Sequence, residues 1–488
     1  MLFNSPQFVV FFAAVFALYW FIPRARPQNV LLLVGSYIFY GFWSWKFLSL
    51  IVISTLVDYM VGLAIDGTED QKRRRRFLYL SLIVNLGLLG AFKYANFFIA
   101  ETEVLLSALG FQVHTRTLEI ILPIGISFYT FQTLSYTIDV YRGKIKPTRN
   151  LIDFALFVSF FPQLVAGPIE RATNLLPQIQ KARVFSFELA ASGMQLMIWG
   201  LFKKVVIADN LAPYVDVVYA HPSAYNGSAL ATATVFFAFQ IYCDFSGYSD
   251  IARGCARTLG FDISTNFRLP YFSKNPVEFW QRWHITLSSW FQDYLYFPLA
   301  MHYMRKGGWL AKYRAHIVAM TLIGFWHGAS WNFIIFGLYW GVVIALYLVA
   351  REYASNFARE ESTGNEFWRV PAAAASMAVM FIVVCLGWVL FRADSMADFV
   401  YVTTHLFSTA GIGHVVGIGV WSAAALWSLV LGLYLAEWVY LAREPLATAV
   451  LSKGWASVTM RYAMLVPILL SYVVAQGTTS QPFIYFQF

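Results

Sequence analysis

Apolar runs long enough to cross a bilayer recur along almost the whole of this 488-residue chain. They fall at about 8–22, 29–44, 47–65, 77–98, 120–139, 186–208, 229–249, 315–350, 370–391, 418–441 and 460–476, the eighth with a potential break near His327. A spanning α-helix needs roughly 20 apolar residues. The pattern therefore predicts an all-α, polytopic membrane protein with about 11 transmembrane helices. No long polar segment interrupts the runs, so residues 1–488 are expected to form a single transmembrane domain ending in an aromatic tail, 478–488. The first run lacks a basic leader and an Ala-x-Ala site, which favours a retained helix over a signal peptide.

Two stretches depart from this rhythm. Leu151 to Val165 is too short to span, lies between basic loops and runs into Phe161-Pro162-Gln163-Leu164-Val165-Ala166-Gly167-Pro168, which suits a re-entrant or interfacial hairpin. Irregular backbone at membrane depth survives only inside protein or along a cavity. The second, Asn266 to Pro298, is rich in Trp, Tyr, Arg and polar residues and reads as helices along the cytoplasmic interface.

Composition agrees with the pattern: 59% of residues are hydrophobic, 18% aromatic and only 12% charged, against about 25% charged in a soluble domain. The net charge of +9 does not point to nucleic acid, because the basic residues cluster in short loops beside apolar runs. There they orient the bundle and meet anionic membrane lipid. Arg24 and Arg26, then Lys72 to Arg76, fall on one side by parity, and the positive-inside rule makes that side cytoplasmic. The Glu101–His114 loop then faces out and the Arg142–Arg149 loop faces in, given a bacterial cytoplasmic membrane. Cys243, Cys255 and Cys385 form neither a CxxC pair nor a disulfide framework, and no metal site is expected.

The sharpest chemical candidate is His327, in Gly324-Phe325-Trp326-His327-Gly328-Ala329, with apolar sequence on both sides. An ionisable side chain there is costly and marks function by default. It suits a general base that takes a proton from an attacking hydroxyl, or a buried hydrogen bond between helices. Gly324 and Gly328 let other backbone or a narrow substrate approach closely, and Asn332 follows within about a turn. His284 lies in Glu278-Phe279-Trp280-Gln281-Arg282-Trp283-His284-Ile285-Thr286-Leu287-Ser288. On a helix, Trp280, His284 and Ser288 would share a face while Glu278 pairs with Arg282. That spacing admits a Ser–His pair, or an interfacial helix anchored by Trp with a snorkelling His.

Asp244 and Asp250 flank an apolar helix end with Arg253, where they could coordinate a cation, orient a histidine or neutralise the arginine. Lys93-Tyr94-Ala95-Asn96 suits an interfacial anchor. His114, His221, His302, His316, His405 and His414 fall mostly in expected loops or helix ends, where a solvated role fits. HExxH, P-loop and dinucleotide-binding signatures are absent from the sequence. In the tail, Phe483, Tyr485, Phe486 and Phe488 favour docking against the bundle, and the Tyr485 phenol could bind a ligand or accept an acyl group.

Taken together, several segments resemble the membrane-bound O-acyltransferase (MBOAT) family in its bacterial alginate O-acetyltransferase-like branch. They are Lys93-Tyr94-Ala95-Asn96-Phe97, Leu122 to Phe131 with Asp139-Val140-Tyr141-Arg142-Gly143, Phe161-Pro162 with Ala166-Gly167-Pro168, Asp244 to Asp250, Phe279 to His284, and Gly324 to Gly328. They keep one order from about residue 1 to 392.

The resemblance implies transfer of an acyl group, here an acetyl group, to a hydroxyl of an exported or cell-wall polysaccharide. The donor would be a cytoplasmic acyl-CoA or acyl-carrier-protein thioester, with no permanently bound cofactor. It implies a ring of tilted helices around a central tunnel, with His327 catalytic and His284 a second functional position. Trp326, Asn332, Asp244, Asp250 and Arg282 would line or support the tunnel. It further implies an extracytoplasmic SGNH-type acyltransferase partner, and in related cell-wall systems a C-terminal tyrosine carries the acyl group, the place Tyr485 takes here. Gln281 stands where that branch commonly has Arg, so a phosphate contact would fall to Arg282. From the residues alone, a polysaccharide or lipid-linked transporter or flippase also fits, as does an inactive scaffold; the chain shows no corresponding halves of the kind transporters often carry.

Overall fold

The computed structural model describes residues 1–111, 118, 120–308, 310–357, 369–413, 423–442 and 483–484. Among them the chain is all-α, with an isolated β-bridge between Tyr225 and Ile412 and no strand. Among the described residues six helices are long and apolar enough to cross a membrane: Leu48–Asp66, Gln71–Ala108, Gly227–Thr258, Trp331–Ala354, Pro371–Arg392 and Ala423–Leu441. Pro6–Phe21 is apolar but shorter. The runs expected at 29–44, 120–139 and 186–208 are helical as Ala25–Ser44, Ile126–Tyr141 and Phe187–Leu201. The last expected run, 460–476, lies outside the described residues. The chain divides into two compact units: Met1–Met197 with Ser249–Thr265, and Ile198–Tyr248 with Asn266–Phe488.

In the first unit, polar side chains cap the start of some helices. Ser5 accepts from the Phe8 N–H at 3.2 Å ahead of Pro6, and Asp70 accepts from the Lys72 N–H at 2.9 Å. Ile126–Tyr141 is buried along nearly its whole length. One of its polar residues, Thr137, meets Asp58, a carboxylate inside the Leu48–Asp66 span that the sequence pattern does not flag. Asp58 accepts from Asn85 Nδ2 at 2.8 Å, Thr137 Oγ1 at 2.9 Å and the Ser81 hydroxyl. It thereby ties three helices together, since an intramembrane carboxylate must face the bundle interior and find donors there. The irregular stretch at 151–165 becomes two short helices, Leu151–Ser159 and Phe161–Leu164, broken at Phe160 and buried throughout 153–165.

The second unit is organised by the hairpin of Ala311–His327 and Trp331–Phe357. The break expected near His327 falls on Gly328, Ala329 and Ser330. Three glycines set the closeness of this hairpin. A methyl group at Gly324 would meet the Phe333 carbonyl oxygen at 2.1 Å, and one at Gly337 the Met320 carbonyl oxygen at 2.3 Å; at Gly341 it would lie 2.7 Å from the Ile317 Cα. Gly337 and Gly341 are four apart, the small-residue spacing that lets membrane helices approach backbone to backbone.

The segment after Asn266 departs from expectation. It forms Pro276–Arg282 and Ile285–Phe291, then a π-turn at Gln292–Tyr296 and the helix Phe297–Lys306. The helix expected to carry Trp280, His284 and Ser288 on one face does not exist. His284 has φ of +43°, which breaks the chain between the two short helices. Nor are Trp280, Trp283 and Trp290 surface anchors. They are buried, with Trp280 edge-on to Trp340 (5.3 Å between centroids) and Trp283 against Trp388 (4.8 Å).

Candidate active site

The Ala311–His327 helix delivers His327 at its last residue, and the glycine break after it turns the chain back. The imidazole is 5% exposed, with Phe391 and Phe336 edge-on at 5.3 and 6.0 Å and Trp326 at 4.9 Å. Gly324 and Gly328 do admit close neighbours, but those neighbours are protein. The partner helix covers Gly324, and the Phe333 ring would meet a methyl at Gly328 at 2.1 Å.

His284 reaches the same indole from the other segment, its ring centroid 6.3 Å from that of Trp326. The two histidines that the sequence singles out are thus brought together around one side chain. His284 is fully buried, edge-on to Phe245 at 4.7 Å, so it does not snorkel. Its holder is Asn266, a residue the sequence reading passed over. Asn266 Oδ1 lies 3.1 Å from His284 Nδ1 and accepts from the Thr286 N–H (3.3 Å) and Oγ1 (2.9 Å). An amide N–H is always a donor, which fixes this Asn266 atom as the oxygen. His284 Nδ1 then donates, and the neutral ring carries its lone pair on Nε2. Burial lowers the His284 pKa to about 3, which keeps the ring neutral at physiological pH. The left-handed turn at His284 costs backbone energy, and these bonds to Asn266 hold it. Ser288 donates to the Trp283 carbonyl at 3.3 Å, so the Ser–His pair that the spacing admits does not form.

A cavity of about 300 Å³ has Phe391, the ring that packs edge-on to His327, as one of its walls. Its polar lining includes Lys204, Asp209, Gln240, Asp244 and Arg392. Asp244 and Asp209 both pair with Lys204 Nζ, at 2.7 and 2.8 Å. Asn332 also lines this cavity, but its amide donates to the Ala393 carbonyl at 2.6 Å, a structural task. Asp250 pairs with Arg253 at 3.7 Å, and Arg282 with Glu278 at 2.9 Å as the spacing predicted. Arg282 also donates to the Arg268 carbonyl at 3.2 Å. His316, expected to be solvated, instead stacks on Tyr296 at 4.2 Å within the hairpin helix. Among the described residues no cluster of three or more His, Cys, Asp or Glu is placed to hold a metal. Tyr485 lies outside the described residues, as do His114 and His414.

A model of the "membrane-bound O-acyltransferase family" (MBOAT) matches residues 144–391, half of the chain, and takes in both histidines. The chain belongs to the MBOAT family. Among its relatives is "Probable alginate O-acetylase AlgI" of Azotobacter vinelandii, 40% identical over 81% of this chain and 76% of that protein. The protein of the same description from Pseudomonas putida is 36% identical over the full length of both. "Peptidoglycan O-acetyltransferase" of Helicobacter pylori is 34% identical over 84% of this chain and 81% of its own. The protein is therefore a multi-pass membrane O-acyltransferase, which displaces the transporter and scaffold readings. Of the MBOAT residues expected to matter, His327, His284 and Trp326 form one cluster, Asp244 and Asn332 line the adjoining cavity, and Arg282 is engaged in its own helix turn.

Proposed function

We propose that this MBOAT protein passes an acetyl group from a cytoplasmic thioester, acyl-CoA or an acyl carrier protein, for O-acetylation of an exported or cell-wall polysaccharide. The site lies in the bacterial cytoplasmic membrane, and an SGNH-type acyltransferase on the outer side completes delivery. His327 is the general base. It takes the proton from a hydroxyl as that oxygen attacks the thioester carbonyl; the tetrahedral intermediate then expels the thiolate, which recovers the proton from the imidazolium. A site walled by Phe391, Phe336 and Trp326 excludes the water that would hydrolyse the donor. His284 Nε2, an acceptor in its neutral tautomer, suits a supporting hydrogen bond rather than proton abstraction. Tyr485 is the proposed first acceptor: its phenol takes the acetyl group and hands it to the partner.

The observation that carries this reading is the convergence of two buried histidines on Trp326 in a chain of this family. The test is polysaccharide acetylation in cells bearing His327→Ala. A general base contributes about 10²–10⁴-fold, so acetylation should fall to background while the protein still reaches the membrane. Undiminished acetylation by that variant would end the proposal.

A further inference from the structure

Asp244 occupies the middle of the Gly227–Thr258 helix and is almost fully buried. With Asp209 it shares a single ammonium, that of Lys204. Lys204 meets Asp244 at Oδ1, and the other oxygen of a buried carboxylate needs its own donor. The Ile484 backbone N–H, 240 residues along the chain, donates to Asp244 Oδ2 at 2.6 Å. Bonds of this charge-assisted kind are roughly twice as strong as neutral ones. The preceding residue is held by the same helix. The Phe483 ring lies on Phe245 at 5.5 Å and Tyr248 at 4.9 Å, one and four residues beyond Asp244. Phe245 is the ring that packs edge-on to His284, and Ile484 lines the cavity that shares Phe391 with His327.

We propose that Asp244, set by Lys204, is a positioning residue that clamps Phe483 and Ile484 through the Ile484 main chain, fixing the register in which they meet the cavity that shares Phe391 with His327. The proposal rests on the acyl-transfer reading for its purpose, but the clamp itself is independent of the chemistry. A main-chain anchor accepts any residue except proline at its contact, so register is fixed without a side-chain motif. A phenyl group two residues earlier or later would not meet Phe245 and Tyr248, so the ring and the carboxylate together define one register.

The test introduces a thiol by Ile484→Cys in the purified chain and measures its rate of reaction with a water-soluble maleimide, subtracting the signal of the parent chain. With Asp244 present the thiol should react slowly. Asp244→Ala should raise the rate at least tenfold, while Asp244→Asn, which keeps an oxygen acceptor, should stay within about threefold of the parent. Both changes leave the neutral Lys204–Asp209 pair behind, so neither strands a buried charge. Equal labelling rates with Asp244 and with Asp244→Ala would overturn the clamp. Acyl transfer is measured separately. Ile484→Pro removes the N–H and also restricts Phe483, so it is compared at equal amounts of folded protein; it should transfer at least tenfold less than Ile484→Ala, and equal transfer would overturn the positioning role. Labelling that depends on Asp244 in a chain with no acyl transfer would keep the clamp and remove the reaction, which separates the two failures.

Discussion

Replacing Gly324 by alanine tests whether the hairpin sets the position of His327. The added methyl would sit 2.1 Å from the Phe333 carbonyl oxygen, 2.6 Å from the Gly337 nitrogen and 2.7 Å from the Gly337 Cα. Ordinary non-bonded approach is about 3.5 Å, so the helices must part by roughly 1.4 Å at this level. All three obstructing atoms belong to backbone, and no side-chain rotation relieves them. Overpacking of this kind costs about 1–3 kcal/mol. His327 lies three residues further along the same helix, so the displacement is carried to the imidazole. A misplacement of about 1 Å at a reacting group can cost about 10²-fold in rate. Gly324→Ala is therefore expected to lower the unfolding temperature of the detergent-purified protein and to cut acetyl transfer about a hundredfold. Gly432→Ala is the control, because a methyl there meets nothing within 4 Å. If Gly324→Ala matched Gly432→Ala in both melting and transfer, the account of the hairpin would be wrong.

Two further outcomes follow from the surroundings of the site. His284 takes up its proton near pH 3 in the folded protein, against about 6.5 when unfolded. Between those values the unfolded chain binds more protons, so the stability contributed by the neutral ring is complete above pH 6.5 and is lost as pH falls toward 3. Melting curves from pH 7.5 to 4.5 should show this decline, and His284→Gln should flatten it. Asn332→Ala should cost about 1–3 kcal/mol by leaving the Ala393 carbonyl without its donor; a loss of transfer per folded molecule as deep as that of His327→Ala would instead give Asn332 a direct part in the chemistry.

What could be read from the sequence was whatever depends on the cost of burying a group. His327 stands out because imidazole is expensive in an apolar run, and the hairpin break is visible because Gly328 follows at once. The His284 turn was hidden. A non-glycine residue with positive φ is stabilised here by Asn266, 18 residues away, and no local preference announces it. The tryptophans around it misled for a related reason. Aromatic residues mixed with arginine look alike at a membrane interface and in a core, and Trp340 and Trp388 decide the matter from distant helices. Asp58 escaped because its donors Ser81, Asn85 and Thr137 come from two other helices. The Ile484 contact leaves no trace at all in residue type, because it is made by backbone.

The two histidines also differ in ways that bear on their proposed roles. A base for a hydroxyl is most effective with a pKa near the working pH, and a ring held near 3 is a poor proton acceptor. Asn266 spends the His284 Nδ1 proton on a structural bond, which leaves Nε2 to accept a hydrogen bond in a fixed direction. His327 sits instead at the end of the Ala311–His327 helix, packed on Phe391, which is also a wall of the polar cavity. The proposal therefore gives proton transfer to His327 and orientation of what it acts upon to His284. Trp326, in contact with both rings, keeps the two at a set separation.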